Sequence, residues 1–285
     1  MQGQNVIAAA AVLLLPGWGA FAQTPASPAA DPAAALRAGK GFVASPVFSA
    51  QDDQKLLALF AGLRVADVTD GMDAVGLQNV GLMDPEIRPL WKDTKDYTHR
   101  FVGIAVTARY VPTQRPAAGK RPVEEYDRWA GEWYDQLSPE PFMDLLRPGS
   151  ALVIDDAERA DVGSIGSNNI LAWKLRGAVG VVTNATARDT DEVTTERVPL
   201  YFRRPGRGIR PGRNEIESVN RPIVCGGVLV VPGDVIVADG DGVLVVPRAV
   251  APDVARYARR ILEDDKDGRR KLYKELGLPP DPSIK

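Results

Sequence analysis

Histidine and cysteine are almost missing: the 285 residues include one of each, His99 and Cys225. A lone cysteine excludes an intramolecular disulfide and any zinc site built on cysteines. A lone histidine excludes His-rich metal clusters, HExxH zincins and two-histidine facial triads. A Ser-His-Asp triad would have to use His99, whose charged loop stretch KDYTHR argues against it. An excess of one charge is lacking too, with 35 Lys+Arg against 37 Asp+Glu and a net charge of −2. Non-specific nucleic-acid and anionic-membrane binding need a net basic surface, so neither partner is expected. The longest apolar run, Val6 to Leu15, falls short of the ~20 residues of a membrane-spanning helix. The hydrophobic and charged fractions, 45% and 25%, are those of a globular protein.

The first 22 residues carry no charged side chain, and Ala20-Phe21-Ala22 follows the apolar run as an A-x-A cleavage signature. We expect a signal peptide over 1–22, although only the amino terminus supplies its positive charge; the competing reading is a disordered Ala-rich leader. Residues 23–46 are Pro/Ala-rich and read as a flexible tether, which leaves 47–285 as the folded domain. The mature protein is expected to be periplasmic or secreted, with no membrane contact after cleavage. Mass spectrometry of the exported protein should give an N-terminus at Gln23; an intact Met1 terminus would overturn this.

From Gln51 the apolar spacing Leu56, Leu57, Leu59, Phe60, Leu63 is helical, and Val65, Val68, Met72 and Val75 continue it to a stop at Gly76. Phe101–Val111 reads as a strand, Pro112–Pro122 as a loop, and Glu124–Leu146 as a helix whose Trp129, Trp133, Tyr134 and Phe142 pack onto the domain or a neighbouring subunit. A second strand spans Ala151–Asp156. Gly166-Ser167-Asn168-Asn169 then opens a helix, Ile170–Arg176, closed by Gly177, and a buried-type strand runs from Ala178 to Asn184. The last third alternates short strands and turns before a polar helix from Pro252 to Leu276. This order predicts one layered α/β domain with a β-rich half.

The chemistry concentrates in Asn168, Arg188, Asp189 and Glu192. Residues at strand ends and helix starts of α/β sheets line the usual ligand crevice. Backbone N–H groups of Gly166, Ser167, Asn168 and Asn169 at a helix start suit an anion. Arg188, after a buried strand, suits a bidentate grip on a carboxylate. Asp189 offers hard oxygen ligation to Mg²⁺, which accepts one or two carboxylates and fills the rest with water. Together these residues make a site for a small oxo-acid and a divalent metal. The competing reading is a surface Arg-Asp pair, which contributes little. Two other stretches are weaker. Arg203, Arg204, Arg207, Arg210 and Arg213 fall in RRPGRGIRPGR, which reads as a solvated or subunit-contacting loop. Asp239-Gly240-Asp241-Gly242 lacks EF-hand spacing and reads as a hairpin turn.

The string from Gly166 through Val181-Val182-Thr183-Asn184 to Arg188-Asp189-Thr190-Asp191-Glu192 resembles the RraA-like family. That family comprises the 4-hydroxy-4-methyl-2-oxoglutarate/4-carboxy-4-hydroxy-2-oxoadipate aldolases and the regulator of ribonuclease activity A. Val65 to Met72, Arg100 to Gly103, Cys225 to Val228 and Ala238 to Val243 are similar to it in the same order. The resemblance implies an α/β/β domain of the swivelling phosphohistidine-domain type, assembled as a homotrimer or hexamer. It implies a class II lyase, performing retro-aldol cleavage or decarboxylation of a pyruvate-yielding 2-oxo acid, with Mg²⁺ or Mn²⁺ on Asp189. Arg188 would bind the carboxylate and steady the enolate, and Gly166, Ser167, Asn168 and Asn169 would complete the substrate site.

Two departures bear on this. The aldolases usually carry an acid straight after the glycine, where this chain has Ser167, which touches the proton-transfer step. An acid from a neighbouring C-terminal helix has several candidates here: Glu263, Asp264, Asp265 and Asp267. The alternatives are a non-catalytic RraA-type binding protein, or another metal-dependent reaction on a sugar acid.

Overall fold

A computed structural model describes residues 32–156 and 161–284. The expected signal peptide, 1–22, and the first part of the linker lie outside the described residues. The described chain forms a short unit ending at Phe42 and a larger one from Val43. The short unit contains α1 (Pro32–Arg37), a helix within the stretch expected to be a tether; Ala33 to Leu36 are strong helix formers, which explains the difference.

The larger unit runs α2 (Ala50–Leu59), α3 (Val65–Ala74), β1 (Arg88–Pro89), β2 (Phe101–Pro112), α4 (Val123–Gln136), a 3-10 turn (Pro141–Leu145) and β3 (Ser150–Asp155). Then follow α5 (Ser167–Leu175), β4 (Ala178–Thr183), β5 (Thr186–Ala187), α6 (Thr190–Glu196), β6 (Leu200–Phe202), β7 (Arg204–Pro205) and β8 (Asn214–Val219). The chain ends with β9 (Ile223–Cys225), β10 (Val228–Val230), β11 (Val235–Asp239), β12 (Gly242–Val246) and α7 (Ala251–Leu276).

One mixed sheet has the order β1-β6-β4-β3-β2-β11-β12, with β8 also paired to β2. β2, β3, β4 and β6 run parallel; β11 and β8 lie antiparallel along successive halves of the far edge of β2. The sheet nearly closes on itself. Val245 donates to the Gly81 carbonyl (2.8 Å) and Met83 to that of Val243 (3.1 Å), so the segment preceding β1 is bonded to β12. The β-rich half expected from the last third of the chain is part of this one sheet: β11 and β12 extend the same sheet as β2 and β3.

Strand alternation sorts the side chains to two faces. Inside, Ala151, Val153, Val182, Ile236 and Val245 meet Phe101, Tyr201 and the β9–β10 hairpin with buried Cys225. Outside, Leu152, Ile154 and Val181 lie under Ile170 and Trp173 of α5. The rest of the outer face, with Ile104, Val235, Val237 and Leu244, is covered by α2, α3 and α7.

Two expected helices are broken. The apolar spacing across Gln51–Val75 is interrupted at Gly62, which takes φ +75° and turns α2 into α3. The stretch Glu124–Leu146 ends as a helix at Gln136, where Pro139 and Pro141 remove backbone donors. Trp133 and Phe142 of that stretch are buried against the domain. The Asp239–Gly242 turn joins β11 to β12 as expected, and Asp239 also accepts the Val65 N–H that starts α3 (2.9 Å).

Gly180 on β4 leaves room for the Phe101 ring: a Cβ there would lie 2.2 Å from Phe101 Cδ1. Overpacking of this kind costs about 1–3 kcal/mol. Gly180→Ala should destabilise by that amount in urea unfolding, and by clearly less in a Phe101→Leu background; strictly additive losses would show that the ring is not the obstacle.

Candidate functional site

Beyond β4 the chain passes into β5, where Ala187 bridges to Ile165 and the Arg188 N–H donates to the Ile165 carbonyl (2.8 Å). This pairing lays Val162–Gly166 beside Ala187-Arg188 and brings the start of α5 to Asp189. The Ser167 N–H donates to Asp189 Oδ2 at 3.1 Å. Arg188 Nε lies 3.7 Å from Asp189 Oδ1, and both side chains are about one-third exposed (36% and 37%). Two glycines make the approach possible: a Cβ on Gly166 would lie 2.6 Å from Asp189 Oδ2, and one on Gly163 would lie 2.6 Å from Arg188 Cβ. Asp189 takes φ +54° and ψ +40°, a left-handed conformation that costs a non-glycine residue energy and that clusters at functional sites. Arg188 Nε is buried and has no hydrogen-bond partner among the described residues. A buried donor left open in this way points to a missing acceptor.

Beneath the site is a buried polar frame. Arg210, 3% exposed, pairs with Glu140 and donates to the carbonyls of Ser164 and Ser138 (both 3.1 Å). Glu140 accepts from Asn169 Nδ2 (2.7 Å) and from Trp173 Nε1 (2.8 Å), so it holds the first and second turns of α5. Buried Asp156, just past β3, accepts from the Ser164 hydroxyl and from Asn214 Nδ2 (2.8 Å). The glycine segment is thus fixed from below at residues 164 and 169.

The structure brings Gly166, Ser167, Asn169, Arg188 and Asp189 together. Asn168 follows on the exposed side of α5. One expectation is corrected: the Ser167 N–H is already taken by Asp189, which leaves Asn168 and Asn169 as the α5 donors without an intrahelical acceptor. Glu192 is exposed on α6 and, after burial, is the next cause that raises the pKa of Glu196. His99 is buried, and its Nδ1 accepts the Asp93 N–H (3.0 Å); burial holds its pKa below the ordinary histidine value. The arginine-rich stretch is not simply a solvated loop: Arg210 is buried, and Arg203 pairs with Asp84 and Glu86. Sequence reasoning missed Gly163 and Glu140 and read Arg210 as part of a loop; the G-x-x-G spacing of Gly163 and Gly166 was the one available signal.

Asp189 supplies a single hard carboxylate, partly exposed. No three His, Cys, Asp or Glu side chains cluster among the described residues. That donor set fits a largely hydrated Mg²⁺ or Mn²⁺ and does not fit a structural zinc ion.

The sequence profile of the RraA-like family (Aldolase/RraA) matches residues 65–245. The chain belongs to the RraA-like family. A Halalkalibacterium halodurans protein with the provisional name 4-hydroxy-4-methyl-2-oxoglutarate aldolase is 34% identical over 143 residues. The match covers 48% of this chain and 65% of that relative, less than two thirds of its length. An uncharacterized protein of Pseudomonas syringae pv. tomato superposes with a TM-score of 0.60 at 26% identity, covering 79% of this chain and 94% of the other. Streptomyces coelicolor RraAS2, described as an unusual member of the RNase ES inhibitor RraA family, shares the fold with a TM-score of 0.61 at 22% identity, over 77% and 98% of the two chains.

Removing Glu140 would leave the Arg210 guanidinium buried without its carboxylate, a loss of about 3–5 kcal/mol. Glu140→Ala should lower unfolding stability by that much, and Glu140→Gln by less because its one carbonyl oxygen can still accept from Arg210 and Asn169, although its NH2 then faces the Trp173 Nε1–H. Equal stabilities of wild type and Glu140→Ala in urea unfolding would refute the frame.

Proposed function

We propose that this protein is a divalent-metal-dependent lyase that releases pyruvate from a 2-oxo acid, by retro-aldol cleavage or decarboxylation, at the Arg188–Asp189 site. The observation that carries the reading is the open Nε of Arg188, buried beside the Asp189 carboxylate at the start of α5. Membership of the RraA-like family and the name of the H. halodurans relative support it.

Arg188 presents a planar fork of donors and a fixed charge, suited to the substrate carboxylate. The N–H groups of Asn168 and Asn169, at the positive end of α5, face negative charge that develops on the keto oxygen as the carbon–carbon bond breaks. Asp189 would hold Mg²⁺ or Mn²⁺, which when bound supplies Lewis-acid stabilisation of that charge. The Ser167 N–H keeps the Asp189 carboxylate oriented for this. We further propose that the protein is periplasmic or secreted and a homotrimer or hexamer, with an acid of a neighbouring α7 completing the site. Of the four candidates, Asp264 alone lacks an ion pair among the described residues: Glu263 pairs with Lys266, Asp265 with Arg64 and Asp267 with Arg270. Ser167 favours a second reading, a binding protein of the RraA type without turnover.

A lactate-dehydrogenase-coupled assay with oxaloacetate and with 4-hydroxy-4-methyl-2-oxoglutarate separates the two. We expect Mg²⁺- or Mn²⁺-dependent pyruvate release that EDTA abolishes, and a fall in kcat/KM of about a hundredfold or more in Arg188→Ala and Asp189→Ala. Oxaloacetate decarboxylates spontaneously with metal, so release no greater than in Asp189→Ala would sink the lyase reading for these substrates.

A further inference from the structure

The buried stripe of α7 changes character half-way along. Ala251, Val254, Ala255, Ala258 and Leu262 are core, yet Lys266 and Arg269 continue the same stripe at helical spacing. They turn towards a cleft of ≈ 510 Å³ that is also lined by Arg64, Tyr97, Arg100 and Ser283. The cleft lies at the amino end of β2, whereas the Arg188–Asp189 site lies beyond the carboxyl ends of β3 and β4. Asp155 at the end of β3 pairs in register with Arg109, so roughly 26 Å of β2 separates the two ends.

Four cationic side chains converge there, and two of them, Arg100 and Arg269, make no direct ion pair among the described residues, although Arg269 reaches the Asp281 carboxylate through the Ser283 hydroxyl. Arg64 is committed to Asp67 and Asp265, and Lys266 lies 3.7 Å from Glu263. Arg269 donates to the Ser283 hydroxyl at 2.6 Å. Arg100 stacks on the Tyr97 ring at 3.8 Å, and its buried Nε has no hydrogen-bond partner among the described residues. Guanidinium side chains that line a cleft of small-molecule size and make no direct ion pair suit an anion.

We propose that this cleft is a second ligand site, distinct from the Arg188–Asp189 site, and that it takes a small organic anion bearing carboxylate or phosphate groups. Arg100 and Arg269 grip the anion, Lys266 adds charge, and Tyr97 fixes the plane of the Arg100 fork.

Calorimetric titration of the full chain with inorganic phosphate and, separately, with succinate tests this on wild type, on Arg188→Ala, and on Arg100→Gln/Arg269→Gln in the Arg188→Ala background. We expect saturable binding of at least one anion that persists in Arg188→Ala, and in that background is weakened about tenfold for each guanidinium removed. Phosphate binding alone would assign a phosphate-bearing ligand, and succinate binding alone a dicarboxylate. Arg269 also holds the chain end through Ser283, so Arg100→Gln by itself decides the matter if the double variant does not fold. Binding in Arg188→Ala that survives the further loss of Arg100, binding that disappears in Arg188→Ala, or no saturable heat with either anion overturns the proposal.

Discussion

The ion pair between Arg210 and Glu140 is the constraint on which the geometry of the Arg188–Asp189 site depends. Taking a guanidinium out of water costs several kcal/mol unless its charge and its donors are all met. Here Glu140 meets the charge and the carbonyls of Ser138 and Ser164 meet donors. Because those partners come from the segment after α4 and from the glycine segment, satisfying one buried cation fixes two distant stretches of chain. Glu140 passes the constraint to α5 through Asn169 and Trp173. Tyr110 closes the frame: burial pushes its pKa up, so it stays a neutral donor to the Pro139 carbonyl at 2.8 Å.

This dependence explains what could be read from the sequence and what could not. β3 and β4 are continuous apolar runs buried on both faces, and their patterns are local, so Ala151–Ile154 and Ala178–Thr183 were legible. The helix opened at Gly166 and the Arg188-Asp189 pair were legible for the same reason. Burial of Arg210 is a long-range property: its carboxylate partner lies 70 residues earlier, and RRPGRGIRPGR has the composition of a solvated loop. β8 escaped notice because NEIESV is mostly part-exposed and pairs with β2 only around a bulge at Arg109/Tyr110. The break between α2 and α3 was masked by an apolar spacing that continues in phase across Gly62.

The nearly closed sheet separates two chemically different ends. Many side chains that alternate inward are apolar, among them Val153, Val182, Ile236, Phe101 and Tyr201. At the carboxyl rim, strand ends hand over to a helix start that is partly neutralised by Asp189. At the amino rim, Lys266 and Arg269 of α7 line a cleft with Arg100. Among the described residues, Arg188 at one rim and Arg100 at the other each have a buried Nε without an acceptor.

The contact that orients Asp189 comes from a backbone N–H, not from a side chain, and this limits what Ser167 can change. Any residue but proline at 167 would keep the 3.1 Å bond to Asp189 Oδ2, provided Gly166 remains a glycine. The position of the carboxylate is therefore a property of the backbone, fixed by Gly163, Gly166 and the frame beneath them. The side chain at 167 is free to vary without moving Asp189 or Arg188. In the lyase reading proposed above, binding and turnover would rest on different atoms of the same short turn, so a serine at 167 would bear on proton transfer before it bears on recognition of the oxo-acid.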